Sequence, residues 1–253
     1  MRGAGGELEQ RALDAHADAW QALGSLFAGR GGGVAAPPGL RLMASGLDDP
    51  GYNSGDVVDA TADVEAARAF YAPLGVPWGL RVPAALRWPH GRLLRQQPLM
   101  GLELRLFRPP PPPPGVVIQA AGPEDLASVL AIDRAAFASE PDRVAPWLSA
   151  LLGADDDVVT VALARSGATA AATGYVVHAR GRRGRSALIG GVATLPPYRR
   201  RGIGGALSAW LAARALDGGA QLVQLAPDDD EAARLYARLG FAAAGGFAMH
   251  VEL

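Results

Sequence analysis

Residues 199–206 of the 253-residue chain read Arg199-Arg200-Arg201-Gly202-Ile203-Gly204-Gly205-Ala206, a cluster of cations and glycines able to hold an anion. The apolar run over 187–195 that precedes it is bounded by turn signals and predicts a strand buried on both faces. Pro196 and Pro197 forbid its continuation. From Ile203 onward, Leu207, Trp210 and Leu211 recur at the spacing of one helical face. The glycines therefore sit at a helix N-terminus, where backbone N–H groups lack partners and the helix dipole adds partial positive charge. Such a loop suits a phosphate or pyrophosphate. The three arginines strengthen that expectation.

Better-known phosphate motifs do not fit. A dinucleotide fingerprint needs G-x-G-x-x-G, but Leu207 stands at the third glycine position. No acidic residue closes the next strand, since Gln221–Leu225 leads into Ala226 and Pro227. A P-loop needs lysine, and all 24 basic residues are arginine. That absence also removes Schiff-base chemistry and ordinary protein kinases. There is no cysteine, no G-x-S-x-G and no HExxH, and the four histidines (His16, His90, His178, His250) are scattered, so no metal site is predicted.

The order Arg199-x-x-Gly202-x-Gly204, followed about thirty residues later by DEAARLYARLGF (Asp230 to Phe241), resembles the two signature motifs of the GNAT superfamily of N-acetyltransferases. The resemblance covers roughly 116–253. It implies an acetyl-CoA-dependent enzyme that moves an acetyl group onto a primary amine, of a small molecule or a peptide, by direct attack on the thioester. It further implies that Arg199, Arg200, Arg201, Gly202, Ile203, Gly204, Gly205 and Ala206 hold the pyrophosphate. Val192, Ala193 and Thr194 would meet the pantetheine arm where the central strands splay, and Tyr236 would be the general acid for the departing sulfur. Two features depart from the family pattern. Asp229 or its neighbours stand where an asparagine is usual, and strand 187–194 lacks the usual glutamate base. A water chain, Glu140, Asp142 and His178 remain as alternatives for that base. The missing glutamate also permits a non-catalytic acyl-CoA-binding regulatory module.

The elements that must position these residues follow from pattern. Pro109–Pro114 is an unbroken proline run, a stiff spacer of about 3.1 Å per residue. It suggests a first half at 1–108, a linker at 109–115 and an acetyltransferase domain at 116–253. The second half reads β-α-α-β-β-β-α-β-α-β. It has a strand at 116–120, a helix opened by Pro123 with Leu126, Val129, Leu130 and Phe137 on its apolar face, and a second helix over 143–152. A hairpin (158–165 and 172–179) around Ser166-Gly167 follows, then the GRRGR turn at 181–185. This is the GNAT plan, an α/β (α+β) mixed twisted sheet flanked by helices.

The first half opens with an amphipathic helix over 7–27, with His16 near its apolar face and read there as a satisfied or partly exposed histidine rather than a ligand. VEAARAFYAPLGV (Val64 to Val76) echoes Asp230 to Phe241, pairing Glu65-Ala66-Ala67-Arg68 with Glu231-Ala232-Ala233-Arg234 and Tyr71 with Tyr236. Each would lead into a terminal strand, 99–107 or 247–253. The first half then reads as a degenerate, CoA-incompetent GNAT-like repeat that walls the acceptor site, with acceptor loops near 20–60 and 135–150. A net charge of −1 argues against a nucleic-acid binder. No signal peptide or membrane-length apolar run is read, so a cytoplasmic monomer or homodimer is expected. The lysine-free, Ala/Gly/Arg/Pro-rich composition suggests a GC-rich bacterial genome.

Overall fold

The computed structural model of the protein describes residues 4–252. Residues 1–3 of the expected first half, and Leu253 at the end of the expected last strand, lie outside them. The first half runs α1 (Ala4–Ser25), β1 (Gly33–Ala35), β2 (Leu40–Ala44), β3 (Ser54–Val57), α2 (Val64–Tyr71), β4 (Gly79–Pro83) and β5 (Arg92–Leu102). The second runs β6 (Val116–Ala120), α3 (Leu126–Phe137), α4 (Pro141–Leu152), β7 (Val159–Ser166), β8 (Thr169–Gly181), β9 (Gly184–Thr194), α5 (Ile203–Asp217), β10 (Leu222–Leu225), α6 (Asp230–Leu239) and β11 (Ala242–Val251). The element order expected for the second half is present throughout.

All eleven strands form one sheet in the order β1-β2-β3-β4-β11-β5-β10-β9-β8-β7-β6. The halves exchange their last strands. β5, from the first half, pairs antiparallel with β10 of the second, and β11, from the second, pairs antiparallel with β4 of the first. The two exchanged strands also pair with each other. α1 seals the junction: Ala12 and Ala15 pack with Leu99, Leu222, Ala244 and Phe247, while Ala19, Leu23 and Phe27 join a cluster containing Trp147, Leu151 and Val161.

The two echoing segments carry the same local devices. The Asp63 carboxylate accepts from Glu65 N–H to open α2, and the Asp229 carboxylate accepts from Ala232 N–H to open α6. This is the capping role of a short carboxylate. Tyr71 and Tyr236 are both buried. The surroundings differ, because β3 and β4 lie side by side and parallel whereas β5 is inserted between β10 and β11.

Several expectations are corrected. The strand expected at 99–107 is β5, Arg92–Leu102, and Leu104–Leu106 forms a 3-10 turn. Leu102 lies opposite Val223, so a longer strand would run past the start of β10 and find no partner. Leu104, inside the expected strand, is 65% exposed. β4 was not anticipated between α2 and β5. Pro123–Asp125 forms a 3-10 turn ahead of α3, and Phe137 is 45% exposed rather than part of the core. Helix α1 ends at Ser25, although Phe27 beyond it is buried.

The exchange predicts that residues 116–253 expressed alone leave the edge of β10 and the apolar faces of Leu222, Ala244 and Phe247 uncovered. Gel filtration and thermal melting should find an aggregated or non-cooperative fragment, rescued by co-expression with residues 1–108. A monodisperse, cooperatively melting fragment would show that β5 is dispensable.

Candidate functional site

The glycine loop is built as its sequence demands. Arg200 (φ +62°) and Gly202 (φ +78°) are in the left-handed region, turning the chain from the Pro196–Tyr198 turn into α5. Ala206 N–H donates to the Gly202 carbonyl, whereas none of the N–H groups of residues 200–205 donates to another described residue. Those are the orphan donors of a helix N-terminus. A Cβ at Gly204 would come no closer than 3.3 Å, to Thr194 Oγ1, and one at Gly205 no closer than 4.0 Å, to Leu235. Packing within the chain therefore does not demand glycine at 205 and only mildly favours it at 204. What glycine leaves at both positions is open space in front of free N–H groups. The three arginines are exposed, and each is already engaged: Arg199 Nε donates to Thr194 O (3.1 Å), Arg200 pairs with Glu231 (2.5 Å), and Arg201 lies over the Tyr198 ring (5.3 Å).

Behind the loop, β9 and β10 pair only from Ser186–Leu222 to Leu188–Gln224 and then part. β9 also bulges against β8, where its register shifts between Gly190 and Ala193. Gly191 supplies the bulge with φ +59°, and the Tyr175 ring lies so close that a Cβ on either Gly190 or Gly191 would collide with it. A bulge re-aims backbone groups that a regular ladder would consume. The parting opens a cavity of about 180 Å³ lined by Gly190, Gly191, Val192, Ala226, Asp228 and Tyr236. Ala193 packs into the core, and Thr194 stands at the end of β9 beside Gly204.

Tyr236 is buried, its ring edge-on to Phe241 with centroids 5.9 Å apart. Ser208 lies beside its phenol, and the Ser208 hydroxyl donates to Gly204 O (2.8 Å). Burial, reinforced by the Asp228 charge, pushes the phenol up to about 12. It is therefore protonated at neutral pH. Asp228 is itself held above the usual carboxylate range by burial and by Asp229, against the pull of Arg95, and it accepts no hydrogen bond from any described residue.

The remaining wall comes from the first half and contains a group the sequence did not reveal. His16 and Trp20 of α1 and Arg81 of β4 line the same cavity. His16 Nδ1 is 2.8 Å from Asp56 Oδ1, Trp20 Nε1–H donates to His16 Nε2 (3.0 Å), and Arg81 forks onto Asp56 (3.1 and 3.0 Å) while its guanidinium stacks over Trp20 at 3.8 Å. The Trp20 contact fixes the neutral tautomer with the proton on Nδ1. Burial favours this form and lowers His16 below its ordinary 6.5, because the opposing Asp56 charge is largely spent on Arg81. Burial alone would raise Asp56, but Arg81 and His16 together hold it below 3.8. His16 and Trp20 are one helical turn apart, a visible signal; Asp56 and Arg81 are visible only once the strands are assembled.

The alternatives raised for a base lie elsewhere. Glu140 and Asp142 line a separate groove with Tyr52 and Arg143, and His178 lies beside Asp156 and Arg214 in another. The Arg180–Arg185 cluster occupies the far end of β9, about ten residues or 30 Å from the glycine loop at the usual strand rise.

The chain matches the model of the acetyltransferase (GNAT) family over residues 126–241. No curated protein matches it. Among solved structures, a GCN5-related N-acetyltransferase from Kribbella flavida is 23% identical, with 94% of this chain and 95% of that chain covered and a TM-score of 0.70. A putative GNAT-family acetyltransferase from Novosphingobium aromaticivorans is 22% identical, with 86% and 89% covered and a TM-score of 0.57. A tandem GNAT protein from the clavulanic acid biosynthesis pathway is 16% identical, with 96% and 94% covered and a TM-score of 0.54. These likenesses establish a shared fold. Among the described residues, no cluster could hold a metal ion, and no helix is long and apolar enough to cross a membrane.

The buried network predicts a specific pH dependence. Both His16 and Asp56 have folded values below their ordinary ones, so each contributes stability that is complete above its unfolded value. The His16 contribution is lost as pH falls below 6.5, and that of Asp56 only below 3.8. Denaturant melts should show His16→Gln reducing the first decline, the remainder coming from His178, which burial also lowers below 6.5. Asp56→Asn, which strands Arg81, should cost about 3–5 kcal/mol at neutral pH.

Proposed function

Because residues 126–241 are a GNAT-family acetyltransferase domain, we propose that the protein transfers an acetyl group from acetyl-CoA to a primary amine. The observation that carries this reading is the continuity of the site. A glycine loop with free N–H groups stands at one end of the β9–β10 parting, and a cavity holding a protonated phenol and an unpaired carboxylate opens along it. The open backbone at 202–206 suits a diphosphate, and Arg199, Arg200 and Arg201 add positive potential around it from the surface. Val192 and Thr194 edge the parting where a pantetheine arm would lie, while Ala193 contributes through its backbone. A β9 N–H freed by the bulge can stabilise charge developing on the thioester oxygen, an effect worth roughly 3–4 kcal/mol.

In this reading the amine nitrogen attacks the thioester carbon as a neutral base. The new C–N bond forms as the C–S bond breaks. Tyr236 delivers its proton to the sulfur, and Asp228 takes the surplus proton of the nitrogen. Asp228 therefore occupies the role left vacant by the missing glutamate of strand 187–194. Its elevated value makes it a better proton acceptor than an ordinary exposed aspartate. Packing against Phe241 keeps the phenol ring in place. No residue of the chain forms a covalent intermediate in this scheme.

Donor binding is tested at Gly204, where valine would fill the space in front of the loop. Calorimetry should then show acetyl-CoA affinity falling at least about tenfold, or 1.4 kcal/mol. Unchanged affinity in a folded variant would remove the loop from the site.

Tyr236→Phe keeps the ring against Phe241 and deletes only the proton donor. General acid catalysis is worth about 10²–10⁴-fold, so kcat should fall by that order while acetyl-CoA binding barely changes. Near wild-type turnover would make Tyr236 structural. If wild type binds acetyl-CoA yet releases no thiol with any amine, a regulatory acyl-CoA-binding module is the better description.

A further inference from the structure

The wall facing Asp228 is unusually cationic for so small a cavity, and the strand exchange makes it so. Met249 of β11 lies opposite Arg81 of β4 on one side and Arg95 of β5 on the other. Residues directly opposite in antiparallel pairs share a face, so both arginines project from the same side of the sheet in one row. Their Cα atoms are two strand spacings apart, about 10 Å. Both line the cavity, with Gln97 next to them.

Their engagements differ. Arg81 gives Nε and Nη2 to Asp56 and Nη2 also to Ser54 O, leaving Nη1 without a hydrogen bond among the described residues. Arg95 is exposed and makes neither a hydrogen bond nor an ion pair with any described residue. Asp228 likewise makes no hydrogen bond or close ion pair with a described residue, although the Arg95 charge acts on it. The charges left over are therefore a cation on the first-half wall and an anion beside Tyr236. His16 is neutral, and Asp56 is consumed by Arg81. The rest of the lining is aromatic or aliphatic: Trp20, Tyr175, Phe247 and Leu188.

Resting on the reading that acetyl transfer takes place in this cavity, we infer that the acceptor is a small amine that also carries an oxyanion, a carboxylate or a phosphate. Arg95, assisted by Arg81 Nη1, holds the oxyanion beside β11, while Asp228, within the field of the Arg95 charge, receives the amine next to it. A guanidinium presents several N–H donors in a plane, which matches two oxygens of either group. An amine lacking that group forgoes the guanidinium contacts and leaves Arg95 to water and the Asp228 charge, so it is the poorer substrate.

Matched substrate pairs test this: β-alanine against n-propylamine, and O-phosphoethanolamine against ethanolamine, with thiol release from acetyl-CoA as the readout. The oxyanion member of at least one pair should have kcat/KM higher by at least about tenfold, and whichever pair responds identifies carboxylate or phosphate. Arg95→Gln should raise KM for that member and narrow the ratio within its pair. Equal use of neutral and anionic members, or a ratio untouched by Arg95→Gln, overturns the inference. A second measurement does not need turnover: melting temperature of the acetyl-CoA-loaded protein with each probe. Stabilisation by an oxyanion amine that disappears in Arg95→Gln would uphold the site even if no amine is acetylated, which would fail only the transferase reading. Stabilisation by neither member, together with no turnover, overturns the inference as well.

Discussion

Almost everything distinctive about this protein depends on the pairing of β5 with β11. Each strand leaves its own half to complete the other, and their mutual pairing joins two partial sheets into one. Without it, β5 and β11 would each present an open edge, a state proteins avoid because bare backbone groups recruit other chains. The same pairing brings the first half against the cavity that holds Tyr236 and Asp228. Arg81, Arg95 and Gln97 reach that cavity only because β11 passes between their strands.

Burying the Asp56–Arg81 pair is costly in principle, since two ions give up water. The geometry offsets much of this: both carboxylate oxygens are used, Ser54 O takes a further proton of Arg81, and Trp20 covers the guanidinium face. The imidazole then meets a nearly neutral neighbour and stays neutral itself. The arrangement locks α1 to β3 and β4 at the depth where the helix also meets Phe247 of β11, whose ring lies 4.8 Å from His16. A polar cluster inside an aromatic shell specifies one docking of α1 where apolar packing alone would accept several.

What could be read from sequence was the part encoded in local order. The glycine loop, its flanking strand and helix, the Asp-capped α6 and the placement of Tyr236 all follow from short-range chemistry, and the structure brings Gly191, Val192, Asp228 and Tyr236 into one cavity. The echo between 64–76 and 230–241 was visible as well, because capping and helix-face residues repeat within a dozen positions. Strand exchange was not visible. Nothing in β5 announces that its partners are β10 and β11; its outer residues Arg92 to Gln96 are exposed and lack an apolar rhythm, which is why only the apolar 99–102 portion was recognised. His16 was visible as a residue but not as a site, since its meaning depends on Asp56, forty positions away, and on Arg81 beyond it.

The exchange also constrains how the chain can reach its native state as it is synthesised. Ordinarily an N-terminal domain can fold while the rest is still being made. Here β4 gains its second neighbour only once β11, Ala242–Val251, has been made. β5 must likewise remain unpaired through the making of some 120 residues before β10 exists. Loop closure over such separations is slow, as high contact order generally dictates. The outer part of β5 is suited to the wait: Arg92, Arg95, Gln96 and Gln97 flank the exposed Leu93 and Leu94 and break up what would otherwise be an apolar face.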